Sequence, residues 1–178
     1  VMGVGGGGCN AVNYMYSQGI KDVTFLVCNT DKQSLGKSSV PAKLQLGPGW
    51  GAGGKPEKAR QYAEESRDRI REALDDGTQM LFIAAGMGGG TGTGASSIIA
   101  EEAQKMEILT IGIVTKPFDF EGRRRMLQAE QGIEEFSKYV DSLVVIPNER
   151  LKFVSETRIT LANAFQIADD VLHNLAKG

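Results

Sequence analysis

The stretch Gly86-Met-Gly-Gly-Gly-Thr-Gly-Thr-Gly94 constrains this chain more than any other. Met80-Leu-Phe-Ile-Ala-Ala85 runs into it as a buried strand, and a helical pattern leaves it near Ala95. A strand, a glycine-rich turn and a helix start together make an anion site. The first N–H groups of a helix have no partner within it, and the helix dipole adds partial positive charge. Glycine reaches positive φ and lets an oxygen approach without meeting a Cβ. Gly86, Gly89, Gly90 and Gly92 form the candidate cradle, and Thr91 and Thr93 add hydroxyl donors. Phosphate is the expected ligand. The competing reading is a flexible glycine-rich linker, which the apolar strand and amphipathic helix on either side oppose.

Glycine usage extends the point. Of 23 glycines, 16 fall within residues 3–8, 47–54 and 86–94, a distribution suited to ligand loops and not to disorder. Charged residues make up 24% and the formal net charge is −2, so no global field favours nucleic acid. Cys9 and Cys28 follow neither a metal-binding nor a secreted spacing, which predicts a reducing cytoplasm. No apolar run approaches the ~18 residues of a membrane span, so no direct membrane contact is expected. The chain opens directly before a glycine turn and closes inside a helical pattern. The expectation is one nucleotide-binding domain over 1–178, with its first strand truncated and its final helix leading into a further C-terminal domain.

Taken in order, Gly3-Val-Gly-Gly-Gly-Gly8 matches the dinucleotide fingerprint G-x-G-x-x-G, with a helix expected to follow from Cys9-Asn10 to about Gln18. Asn10 is read either as the N-cap of that helix or as facing a ligand. Val23-Thr-Phe-Leu-Val-Cys28 is a predicted strand, closed by Asn29-Thr-Asp31, which is a simple turn or a ribose-side contact. Gly49-Trp-Gly-Ala-Gly-Gly54-Lys55-Pro56 almost spells a P-loop. Pro56 stands where the Mg²⁺-binding hydroxyl belongs, and no clear strand is read before it, so a P-loop is rejected. Pro56 suits a helix start, and Ala59, Tyr62, Ala63, Ser66, Ile70 and Ala73 follow at helical spacing. Lys55 either adds a phosphate contact or points into solvent, and solvent is the favoured reading. Ile108 to Val114 is a nearly continuous apolar run, as in strands buried on both faces of a parallel sheet. After the loop from Thr115 to Gly122, Arg123-Arg-Arg125 opens a helix with a core stripe of Met126, Ala129, Ile133, Phe136 and Val140. Three cations at a helix N-terminus imply an offsetting anion or acid. Ser142-Leu-Val-Val-Ile146 is the next strand, and a last helix is expected over about 161–176. Alternating strands and helices predict an α/β fold, a Rossmann-like doubly wound, mostly parallel sheet flanked by helices.

The GGGTGTG of residues 88–94 resembles the signature loop of the tubulin/FtsZ superfamily, and its surroundings resemble the bacterial cell-division branch more than eukaryotic tubulin. The likeness runs along essentially the whole chain. It implies a GTPase with GTP or GDP as cofactor and Mg²⁺ beside GTP. It carries nucleotide contacts onto Gly6, Gly7, Gly8, Cys9 and Asn10, onto Asn29 and Asp31 near the sugar and phosphates, and onto Gly53 and Gly54 in a GAGxxPE-like loop near the γ-phosphate. Thr115 and Pro117 belong to the same site, with Glu121 on the ribose, Arg125 on the nucleotide and Asn148 on guanine. Phe165 and Asp169 stand i and i+4 on the last helix. By periodicity Phe165 reads as core and Asp169 as a solvated edge; the resemblance makes them a stacking ring and a guanine-reading carboxylate. His173, the single histidine, reads as a surface residue.

The resemblance further implies head-to-tail filaments, in which the next subunit supplies an acidic loop that polarises the attacking water. The corresponding pattern, roughly N-x-D-F-A-D, does not occur in this sequence, so no catalytic residue is expected within it. Other cell-division partners are expected through a C-terminal tail of the longer protein, at a cytoplasmic division site. Two other classes stay open on the residues alone: a nicotinamide- or flavin-dependent oxidoreductase, and a non-enzymatic nucleotide sensor.

Overall fold

The computed structural model describes residues 1–20 and 22–147, together with Asn163 and Gln166. Six strands, β1 (Met2–Val4), β2 (Leu26–Asn29), β3 (Lys43–Gln45), β4 (Met80–Gly86), β5 (Leu109–Thr115) and β6 (Ser142–Ile146), form one sheet in the order β3-β2-β1-β4-β5-β6. Every neighbouring pair is parallel. This is the 3-2-1-4-5-6 order of doubly wound nucleotide-binding sheets. The order reverses between β1 and β4, where a crevice opens outside the strand C-termini.

The helices are α1 (Gly5–Ser17), α2 (Lys32–Lys37), α3 (Pro56–Glu65), α4 (Arg67–Leu74), α5 (Thr91–Lys105) and α6 (Arg123–Ser137), with a 3₁₀ turn at Asp119–Glu121. Alternation along the strands feeds two cores. Leu81, Ile83 and Ala85 of β4 join Tyr62, Ile70, Ile98, Ile99 and Phe136 on one face of the sheet. Phe82 and Ala84 join Val12, Met15, Val27, Ile111 and Ile113 on the other. The continuous apolar run of β5 is thereby buried on both faces, as its composition predicts. Gly112 leaves room for Phe136, whose Cε2 lies 2.4 Å from where a Cβ would stand.

Several local expectations need correction. α1 begins at Gly5 and not at Cys9, with Val4 as N-cap, so Asn10 lies inside the helix, exposed, and caps nothing. α5 begins at Thr91, four residues before Ala95. Glycine is a poor helix former, which hides both starts in the sequence. Close packing overrides that propensity: a Cβ on Gly8 would stand 2.1 Å from the Ala84 carbonyl oxygen, and one on Gly94 2.0 Å from that of Pro56. A strand does precede the loop of residues 47–54, namely β3, although Pro56 opens α3 as expected. The helix read through Ala73 breaks at Ser66 into α3 and α4.

Arg67, the first residue of α4, explains how α4 is fastened to α5. Its guanidinium reaches Glu64 at 2.7 Å, Glu101 at 2.9 Å and Glu102 at 2.7 Å. The Glu102 side chain is only 1% exposed, and Arg71 and Lys105 stand 3.4 and 3.6 Å from it. The hydrogen bond from Arg67 holds the Glu64 carboxyl below its usual range. A carboxyl lowered by folding stabilises the protein above its unfolded-state value, and that contribution is lost as pH falls through the folded-state value. Removing one partner of a buried pair costs more than the pair itself contributes. Arg67→Met should therefore destabilise the chain by about 3 kcal/mol. Arg67→Met combined with Glu102→Leu should recover part of the loss in thermal unfolding. A double variant less stable than the single one would show that Glu102 is not held mainly by Arg67.

Candidate functional site

The two glycine loops meet at the switch between β1 and β4. A Cβ on Gly5 would stand 2.9 Å from the Gly92 nitrogen, and one on Gly7 3.4 Å from the Gly86 Cα. A Cβ on Gly92 would stand 2.3 Å from the Gly86 oxygen. The N-termini of α1 and α5 thus open side by side, each with unpaired N–H groups. Between them lies a cleft of about 260 Å³ lined by Gly6, Gly7, Ala52, Gly54, Gly86, Met87, Gly89, Gly90, Thr91, Gly92 and Arg125. Its walls are mostly backbone, with one guanidinium and no carboxylate among the described residues. This suits a multiply charged anion approached through N–H groups. A second cavity of about 320 Å³, lined by Val1, Leu26, Asp76, Met80 and Leu81, sits at the opposite, N-terminal ends of the strands and has no glycine cradle.

The side chains around the cleft divide by what they touch. The Thr91 hydroxyl lies 2.7 Å from that of Thr30, tying α5 to the end of β2. Thr93 is buried, and its hydroxyl oxygen accepts the Gly88 N–H at 2.8 Å, so it braces the loop from within. The buried Asn29 accepts the N–H groups of Thr30 at 2.8 Å and Asp31 at 3.4 Å through Oδ1. Asp31 is the N-cap of α2, accepting from the Gln33 and Ser34 N–H groups. The Cys9 thiol points into the core, against the carbonyls of Gly3 and Cys28, and burial pushes it up to about 11. Cys9 can therefore offer a ligand only its backbone.

The loop of residues 47–54 folds over this floor. Gly51 N–H donates to the Thr30 carbonyl, and Asp31 bridges to Trp50. Ala52 and Gly54 thereby reach the cleft, while Gly53 and Lys55 are exposed. Behind Arg125 and outside the cleft lining, Glu121 holds the Phe118 N–H and lies 3.2 Å from Arg125, the acid expected opposite the arginine triplet. Thr115 is buried at the end of β5, and its carbonyl accepts the Met87 N–H at 2.9 Å. Pro117 packs near Gly88. Asn148, Phe165, Asp169 and His173 lie outside the described residues. Thr30, Ala52 and Gln128 belong to the site's surroundings and were not singled out by the sequence. Thr30 had a signal, since it sits within Asn29-Thr-Asp31; Gln128 had none.

A parallel sheet in this order, with two glycine-lined helix N-termini facing one cleft, defines a nucleotide-binding α/β domain. Residues 1–156 match the model of the tubulin/FtsZ family GTPase domain, and the chain belongs to that family. It is 54% identical to the cell division protein FtsZ of Porphyromonas gingivalis over 183 residues, covering 100% of this chain and 40% of that protein. Among solved structures, an empty FtsZ dimer of M. jannaschii matches with a TM-score of 0.80 and 39% identity, over 99% of this chain and 52% of that one. GDP-bound monomeric CetZ1 of Haloferax volcanii matches with a TM-score of 0.76 and 25% identity, over 83% and 50%. The chain thus spans about half the length of the relatives it matches or less.

Proposed function

We propose that this chain binds GTP and GDP in the glycine cleft and is the nucleotide-binding part of a filament-forming cell-division GTPase. The observation that carries the reading is the convergence of the two glycine-lined helix N-termini on one cleft with Arg125 at its wall. The phosphates lie against the free N–H groups at the first turns of α1 and α5, at residues 6–7 and 89–93, the loop carrying Gly53 and Gly54 closes over them, and Arg125 supplies the cation. Asn29 and Asp31 shape the β2 side of the cleft, and Thr115, Pro117 and Glu121 the opposite side. Asn148, Phe165 and Asp169 bind the guanine base. Mg²⁺ bound with the triphosphate would offset its negative charge. Among the described lining residues the Thr91 hydroxyl could hold it and no carboxylate is present, so phosphate oxygens and water would supply most of its ligands.

The same lining contains no general base. Hydrolysis in this reading is completed by an acidic loop that a neighbouring subunit of the longer protein docks head-to-tail over the cleft. A head-to-tail contact is heterologous, so growth needs both complementary faces on every subunit. Further division partners act through parts of the longer protein, in the cytoplasm at the division site. The dimeric FtsZ of M. jannaschii and the GDP-bound CetZ1 support self-association and the nucleotide respectively.

Incubated alone with GTP, the purified chain should bind nucleotide and release no phosphate above buffer. Steady release that Asp31→Asn or Glu121→Gln abolishes would place a catalytic carboxylate within this chain and overturn the division of labour.

A further inference from the structure

We infer that Gln128 is a positioning residue that sets the orientation of the phosphate-binding backbone, an inference resting on the nucleotide reading above. Gly88 is buried at φ +110° in the loop between β4 and α5. A Cβ there would stand 3.1 Å from Pro117 Cγ and 3.2 Å from the Arg125 carbonyl oxygen. Both polar groups of Gly88 are held by side chains. Its N–H donates to Thr93 Oγ1 at 2.8 Å, and its carbonyl accepts from Gln128 Nε2 at 2.9 Å.

The Gly88–Gly89 peptide is planar and trans, so its carbonyl and the Gly89 N–H point in opposite directions. Gln128, on α6, draws the carbonyl toward that helix. The Gly89 N–H is thereby turned away from α6, and Gly89 lines the glycine cleft. Residues 88, 89 and 90 are all glycine, so no Cβ resists rotation of this peptide. Rotated by half a turn, it would present a carbonyl oxygen to the phosphate in place of a donor. Gln128 selects the anion-binding orientation. It stands one turn along α6 from Arg125, whose Nη2 lies 4.0 Å from where a Gly89 Cβ would be. One helix therefore supplies both a cation at the cleft wall and the grip on the cradle. Gly132 allows this approach, since a Cβ there would stand 2.6 Å from Thr93 Cγ2.

The test compares wild type with Gln128→Leu and Gln128→Glu by titration with GDP and with guanosine, which has no phosphate, alongside thermal unfolding without ligand. Gln128→Met, unbranched and without a donor, repeats the test should leucine disturb α6. GDP affinity should fall about tenfold in Gln128→Leu, the scale of one hydrogen bond to a charged group. It should fall at least as far in Gln128→Glu, where a carboxylate opposes the carbonyl. Guanosine affinity should stay unchanged, while the ligand-free melting temperature should fall modestly, because the buried Gly88 carbonyl loses its donor. GDP binding equal to wild type in these variants, or parallel losses for GDP and guanosine, would overturn the inference while leaving the nucleotide reading intact. Wild type failing to bind GDP would overturn both.

Discussion

Gly94→Ala is expected to lower the melting temperature of the ligand-free chain, against the usual direction for a glycine inside a helix. Exchanging an interior helical glycine for alanine normally adds up to about 1 kcal/mol of stability. Here the new methyl would stand 2.0 Å from the Pro56 carbonyl oxygen and 3.0 Å from the Arg60 nitrogen. Both atoms are backbone, so α3 must move off α5 by about an ångström. Overpacking of this kind costs about 1–3 kcal/mol, and more where rigid backbone must shift. The cost outweighs the gain, and we expect a net loss of about 2–3 kcal/mol, or roughly 4–12 °C for a chain of this size. Gly36→Ala is the control. Gly36 lies inside α2 with nothing within 4 Å of its Cβ position, so that variant should melt no lower than wild type. Gly94→Ala melting at or above wild type would mean that α3 and α5 are not packed as described.

Gly90→Val should show the opposite profile, a large loss of ligand affinity with a smaller loss of stability. Gly90 is the N-cap of α5 at φ −86°, a conformation open to any residue. Its missing Cβ faces the Lys55 nitrogen at 3.0 Å, Ala52 Cβ at 3.1 Å and the Gly54 carbonyl carbon at 3.2 Å, across the mouth of the cleft. A valine there fills space that a phosphate needs and pushes back the loop that closes over it. GDP affinity should fall at least about a hundredfold, which corresponds to about 2.7 kcal/mol. The melting temperature without nucleotide should fall less than in Gly94→Ala. Normal GDP binding by a folded Gly90→Val variant would remove the cradle assignment.

These two glycines show why part of the molecule was legible in its sequence and part was not. Glycine density and the flanking apolar strand point to residues 86–94 as a phosphate loop from the sequence alone. The helix start was misplaced because propensity reads Thr-Gly-Thr-Gly as loop, while the contact with Pro56 that makes Gly94 necessary is long-range. The N-cap reading of Asn10 fails for the same reason, since the glycines before it look like turn and fold as the first turn of α1. β3 and α2 are short, three and six residues, too short for a periodic signal. The parallel order and the α/β class followed from alternation. Which strands flank the switch point did not, because register and neighbour choice depend on packing between distant segments. Family resemblance supplied the guanine-reading roles proposed for Phe165 and Asp169, which periodicity alone would assign to core and surface.

The nicotinamide reading, allowed by residues 3–8 alone, leaves the second glycine loop without a role, whereas a nucleotide bound through its phosphates uses both loops. The most direct measurement is titration of the purified chain with GDP and, separately, with ADP. One GDP should bind per chain, with ADP at least about a hundredfold weaker, the discrimination expected of the Asp169 carboxylate proposed to meet guanine N1–H and N2, because the wrong base leaves buried polar groups unpaired. Equal affinity for the two nucleotides, or no binding of either by the folded chain, would contradict the assignment of the glycine cleft to a guanine nucleotide.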